Sequence, residues 1–134
     1  MNGVRTEHKV ISATPRANAG NLDMTTNGSL PSMYALHQNF PNPFGEGHSF
    51  RNNPETTIRF DIPGEKNAVS TTLSIYNLAG QKIADLIDAS LSSGSYSVRW
   101  NGRSSTGNLL PSGIYFYVIR SENFMASRKL MLMK

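Results

Sequence analysis

The stretch GIYFYVIRSENFMASRKLMLMK, Gly113 to Lys134, constrains the fold more than any other part of this chain. Ile114, Phe116 and Val118 fall on one side of a strand, and Tyr115, Tyr117 and Ile119 fall on the other. Ser121, Glu122 and Asn123 read as a polar turn, and Phe124 to Met133 as the return strand. Both faces of this hairpin carry apolar groups. A strand with one solvated face alternates apolar with polar residues. The hairpin therefore either lies within a sandwich or keeps a face for a partner.

The rest of the chain supplies the other strands. Thr56 to Ile62 alternates, with Ile58, Phe60 and Ile62 towards the core, and Pro63-Gly64 ends it. Thr71 to Leu78 follows, with Leu73 and Ile75 inward, then a tight turn at Ala79-Gly80. Gln81 to Asp88 sets Ile83 and Ile87 against Ala84 and Leu86. After a loop at Ser92 to Gly94, Ser95 to Asn101 alternates most clearly: Tyr96, Val98 and Trp100 face in. Trp100 offers the largest single apolar burial and is the expected heart of the core. Gly102 to Ser112 is a long loop. Six or seven short strands separated by turns, with no convincing helix, predict an all-β sandwich with an irregular N-terminal extension, which the resemblance given below makes an immunoglobulin-like β-sandwich of about seven antiparallel strands.

The segment before these strands has two parts. Residues 1–33 read as a linker or the remnant of a preceding segment, because Pro15, Gly20 and Gly28 break every window long enough for a helix. YALHQNFPNPF, Tyr34 to Phe44, reads as an extended strand anchored by Leu36, Phe40 and Phe44, since Pro41 and Pro43 restrain the residues before them. Gly45 to Asn53 is expected to be a polar loop. Residues 34–134 form the expected domain.

Composition excludes several chemistries. No cysteine is present, which removes thiol catalysis, cysteine-ligated zinc and disulfides. The net charge of +4 comes from scattered Lys and Arg residues, with no basic run interleaved with aromatics, so nucleic acid is not an expected partner. His8, His37 and His48 fit no metal-ligand spacing. A strand would place Asp85 and Asp88 on opposite faces, and no histidine is placed to activate a serine. Asn101 to Gly113 has oxygen-bearing side chains but no carboxylate, so a hairpin connection is preferred there over a calcium loop. The expectation is a non-enzymatic domain without metal or cofactor. Sugar binding is one rival reading, if Tyr76, Tyr115 and Tyr117 project outward. No apolar run approaches the ~20 residues of a membrane-spanning helix. The first twenty residues have no apolar signal core, so the chain is expected to be cytoplasmic or one piece of a larger secreted precursor.

Five segments in order carry a resemblance: YALHQNFPNPF, NPETTIRFDIP, LSIYNLAGQKIADLID, YSVRWNGRSSTGNLLPSGIYFYVIR and RKLMLMK. Together they resemble the type A C-terminal sorting domain of the type IX secretion system. They are also similar to the immunoglobulin-like domain of flagellar hook-capping proteins. The resemblance implies a secreted or cell-surface location, reached through the periplasm and outer membrane as part of a larger precursor. It implies a covalently attached upstream cargo, and as partners the outer-membrane secretion machinery and a sortase-like peptidase. Asn42, Pro43 and Phe44 match the family's opening motif, Gly113 and Tyr115 its penultimate strand, and Lys129 to Lys134 its terminal motif. Unlike the family pattern, GEGHSFRN, Gly45 to Asn52, is inserted after the opening motif.

The residues expected to be read by such machinery are Gly113, Tyr115, Tyr117, Arg128, Lys129, Leu130, Met131, Leu132, Met133 and Lys134. Leu130 to Met133 would supply an apolar surface flanked by positive charge, with Met adaptable to a partner. The alternative is a structural or adhesive surface module, self-associating by strand exchange through the N-terminal segment, or binding carbohydrate.

Overall fold

The computed structural model describes residues 7–11, 22–26, 30–48, 51–64 and 67–134, with side chains for 30–45, 54–64 and 67–134. Among these there are strands and no helix. In chain order they are β1 (Glu7–Ile11), β2 (Leu22–Thr26), β3 (Ala35–Leu36), β4 (Gly45–His48), β5 (Arg51–Asn53) and β6 (Thr56–Ile62). Then come β7 (Val69–Tyr76), β8 (Lys82–Leu91), β9 (Gly94–Trp100), β10 (Gly113–Ser121) and β11 (Phe124–Leu132).

Two antiparallel sheets face each other. One runs β1-β2-β9-β6-β3 and the other β11-β10-β7-β8; β4 and β5 form a separate ribbon. The seven strands of the sandwich are β3, β6 and β9 on one side and β7, β8, β10 and β11 on the other. The expected sandwich is the observed one. Glu7–Ile11 and Leu22–Thr26, within the expected irregular extension, pair as a ribbon, and β2 continues the first sheet beyond β9. The inserted segment, expected as a loop, is the β4–β5 ribbon.

The alternation that defined the strands also fills the core. Ile58, Phe60 and Ile62 of β6 and Tyr96, Val98 and Trp100 of β9 are buried against Leu73, Ile75, Tyr117 and Ile119 of the opposite sheet. Phe60 stacks on Tyr96 at 5.3 Å. Trp100 is fully enclosed, with Phe44 at 5.5 Å and Tyr115 at 6.3 Å, and its indole N–H donates to the Arg103 carbonyl at 3.0 Å. An indole buried this deeply needs that acceptor, because an unmatched N–H would cost more than the bond contributes.

Strand β8 departs from simple alternation. Its pairing with β7 steps from Leu73↔Ile87 to Ser74↔Asp85, and from Ile75↔Ala84 to Tyr76↔Lys82. Leu86 and Ile83 are therefore the extra residues of two β-bulges. The first bulge resets the phase, so the consecutive residues Leu86 and Ile87 are both buried. It also corrects the expectation that Asp85 and Asp88 take opposite faces. They pair with Ser74 and Thr72, two residues apart on β7, and so share the outer face. Asp85 there accepts from the Ser74 hydroxyl at 2.7 Å and pairs with Lys82 at 3.3 Å.

The hairpin turns differ in what they require. Gly80, at φ 85°, closes the β7–β8 turn, where its N–H donates to Asn77. The β10–β11 turn has two residues, Glu122 and Asn123, with Glu122 in the left-handed region at φ 54°. Ser121, expected in that turn, instead ends β10, and its hydroxyl bonds Thr71 and Tyr34 inside the sandwich.

Candidate functional site

The last strand is held along its length by the segment in front of the sandwich. Tyr34 stacks flat on Phe124 at 4.5 Å, at the start of β11. Further along, the Arg128 guanidinium donates to the Leu36 carbonyl at 2.6 Å and Gln38 donates to the Lys129 carbonyl at 2.8 Å. Asn42 accepts from the Met131 N–H at 2.9 Å. Phe44 pairs with β11 in parallel, its N–H donating to Met131 and its carbonyl accepting from Met133. Residues 34–45 thus form a strap running alongside β11. The strap simultaneously pairs with β6 through Ala35↔Asp61, Leu36↔Phe60 and Phe40↔Thr57. It ties the two sheets together and occupies the edge that β11 would otherwise leave open.

Asn39 is the strap's inward anchor, and Phe40 is not. Phe40 was expected to pack inward, yet it is 78% exposed, while Asn39 is buried. The Asn39 side chain donates to Thr56 at 2.9 Å, and its backbone N–H donates to the Tyr117 hydroxyl at 2.9 Å. Those partners hold Asn39 in the interior and turn its neighbour outward. Leu36 and Phe44 are buried as expected.

The residues expected to meet secretion machinery divide into two sets. Tyr115, Tyr117, Leu130 and Leu132 are buried, which corrects the expectation that they offer an apolar surface. The tyrosines are turned inward by their hydroxyls: Tyr115 donates to the Pro111 carbonyl at 2.6 Å and Tyr117 to the His37 carbonyl at 2.6 Å. A sugar platform of Tyr76, Tyr115 and Tyr117 is accordingly absent. The Arg128-Lys129 pair is split by the strand, with Arg128 directed to the strap and Lys129 on the outer face.

The second set is accessible. On the outer face of the closing hairpin, Ile114 lies opposite Met131, Phe116 opposite Lys129, Val118 opposite Ser127 and Arg120 opposite Met125. Met125, Ile114, Met131 and Met133 are exposed, and Phe116 and Val118 are partly so. Lys129 and Arg120 interrupt the apolar groups, and Lys134 follows, its N–H bonded to Ser112 at 2.9 Å. Gly113 begins β10 opposite Leu132.

Burial gives the strap contact a pH dependence. The Tyr117 phenol is pushed up to about 12 by desolvation, opposed by the Asn39 N–H and the Arg128 charge. A raised folded-state value favours the protonated form. The resulting stability is present below the ordinary value of 10.0 and lost as pH rises through about 12. Tyr96 and Tyr115 are raised for the same first reason, burial. We expect unfolding free energy to fall across that alkaline interval, and to fall less steeply in Tyr117→Phe. At neutral pH the variant should lose about 1–3 kcal/mol, because the Asn39 N–H and the His37 carbonyl lose their partner. Urea titrations at successive pH values measure both effects.

Neither loop chemistry nor metal chemistry gathers elsewhere among the described residues. The oxygen-rich loop bonds to itself, through Ser104 with Thr106, Asn108 with Thr106, and Arg103 with the Gly107 carbonyl. His37 pairs with Asp61 at 3.1 Å on the outer face of the β6 sheet, and the side chains of His8 and His48 lie outside the described set.

Comparison with known proteins bears on this fold. The family model described as the FlgD Ig-like domain matches residues 47–123. Among solved structures, the chain is similar to one in the crystal structure of dimeric latent PorU from Porphyromonas gingivalis. The identity is 18% and the TM-score 0.55, over 83% of this chain and 10% of that one. The likeness is one of fold, and this chain spans about a tenth of that protein's length. No curated protein matches.

Proposed function

The chain belongs to the FlgD Ig-like domain family, and we propose that it serves as a non-catalytic sorting domain, targeting an attached cargo across the outer membrane to the cell surface. The observation that carries this reading is the outer face of the closing hairpin. β11 puts its leucines into the core and has its edge covered by the strap, yet leaves Met125, Met131 and Met133 accessible beside Lys129 and Lys134. That surface combines adaptable thioethers with positive charge, which suits a signal that must be read on many different cargoes. The motif resemblance from Tyr34 to Lys134 supports the same reading. Its partners are the secretion machinery, which reads the hairpin face, and a sortase-like peptidase acting upstream of the sandwich. The fold also occurs as a small part of a longer chain in the solved relative, which suits an appended module.

The test fuses the chain to a reporter in a bacterium with type IX secretion. Removing Arg128 to Lys134 should retain the reporter inside the cell, but this also removes Leu130 and Leu132 from the core. A second variant, Lys129→Ser with Met131→Ser and Met133→Ser, changes only exposed positions and should be retained equally while keeping its melting transition. Normal export of that folded triple variant would sink the proposal.

One observation favours the alternative of a self-associating structural module. Among the described residues the β1–β2 ribbon joins the rest of the first sheet through β9, over Leu22↔Val98 to Thr25↔Ser95, so a neighbouring copy could supply the same strand. Sedimentation at rising concentration decides it: a strand-exchanged dimer that disappears on deletion of residues 1–32 supports exchange, and a persistent monomer excludes it.

A further inference from the structure

On the face opposite the closing hairpin, the β6 sheet carries a groove of about 680 Å³. Its floor is the outward row of β6 and β9, with Arg59 opposite Ser97 and Asp61 opposite Ser95. His37, held to Asp61 at 3.1 Å, and Phe40 of the strap form its wall. Nothing in the sorting reading uses these residues.

We infer that this groove binds carbohydrate, specifically the neutral face of a short oligosaccharide. Three features select that ligand. Phe40 has 78% of its surface exposed while its backbone is fixed on both sides by Thr57, at 3.0 and 2.9 Å. A phenyl ring has no polar atom to satisfy in water, so a ligand that covers it recovers apolar burial. The C–H face of a pyranose has the shape and character to do so. Along the same floor, the Arg59 guanidinium is a planar two-pronged donor matched to a pair of adjacent sugar hydroxyls, and Asp61, one oxygen of which is held by His37, offers its other oxygen as an acceptor. The Ser95 and Ser97 hydroxyls add groups that both donate and accept.

The same features argue against other ligands. Among the described lining residues Arg59 is the one Lys or Arg, and Asp61 with its bonded His37 lies in the same groove, which falls short of the cationic cluster that a phosphate or sulfate would require. A peptide would need apolar pockets for its anchoring side chains, and the floor offers Ser, Thr and charged groups instead. The volume is in the range of small-ligand sites. The aromatic contact that the sequence suggested through tyrosines is thus supplied by a phenylalanine of the strap, against the opposite sheet.

The test is titration of isotope-labelled protein with maltotriose, cellotriose, mannotriose and chitotriose, followed by amide resonances. At least one trisaccharide should shift the resonances of residues 37–40, 57–61 and 95–97, with millimolar affinity. Phe40→Ala should weaken binding by about tenfold or more. Asp61→Asn should weaken it while keeping the fold, and Met131→Ser on the far face should leave it unchanged. Absence of shifts with all four sugars at tens of millimolar overturns the inference. So do shifts that survive Phe40→Ala, or shifts produced by an extended acidic peptide and not by the sugars. Export of the reporter fusion by the Phe40→Ala variant separates this outcome from that of the sorting proposal.

Discussion

Trp100→Ala is expected to lower the unfolding free energy by about 3–5 kcal/mol, a large share of what a domain of this size possesses. The cost has two sources. The indole is fully enclosed, so its removal leaves a cavity between the strap ring at 5.5 Å and the hairpin ring at 6.3 Å. The walls of that cavity cannot easily collapse. Phe44 is fixed by its two backbone bonds to β11, and Tyr115 by its hydroxyl on the Pro111 carbonyl. The Arg103 carbonyl also loses its donor. Denaturant unfolding should show the midpoint fall with the slope unchanged. Trp100→Phe keeps part of the ring and should lose less. If Trp100→Ala cost under about 1 kcal/mol, the layer would be able to repack, and Trp100 would not be the centre of the core.

Why the sequence revealed so much of the sandwich is visible in β6 and β9. Each alternates strictly over seven residues, and each ends at a residue type that stops a strand or turns the chain. Period-two patterns with clear punctuation need no tertiary knowledge. Two-sided apolar strands are different. Alternation correctly separated Tyr115 and Tyr117 from Ile114 and Phe116, but with both sets apolar it could not say which set faces inward. That is decided by carbonyl acceptors at Pro111 and His37, the latter far away in sequence.

The β8 bulges escaped for a related reason. An extra residue is defined by the partner strand, and β8 alone reads as plain alternation. Asn39 escaped because a buried amide is recognisable only from its partners. These come from β6 and β10, which no local pattern joins to the strap. The sugar groove was illegible for the same cause, since Phe40 reads as an anchor until Asn39 is seen to take the inward position.

Gly45→Ala should be the most disruptive change in the strap, costing roughly 3 kcal/mol or more. Gly45 follows the opening motif and sits at φ 141°, a conformation that side-chain-bearing residues rarely adopt. A Cβ built there would lie 2.0 Å from the Met133 carbonyl oxygen, a backbone atom that cannot rotate away. Either the strap or the end of β11 must move, and the two bonds joining Phe44 to Met131 and Met133 are lost with it. Gly80→Ala provides the comparison. Gly80 has φ 85° but open space where its Cβ would be, so its cost is conformational only, about 1 kcal/mol. Equal losses for the two variants would show that close approach is not what requires glycine at position 45. Hydrogen exchange separates local from global effects: the Met131 and Met133 amides should lose protection in Gly45→Ala while those of β6 and β9 keep most of theirs. A β11 released from its strap also presents an unpaired edge, so this variant should self-associate more than the parent chain at the same concentration. Light scattering at matched concentration measures that difference, and a monomeric Gly45→Ala would mean that the strap holds the sheets together without guarding the edge.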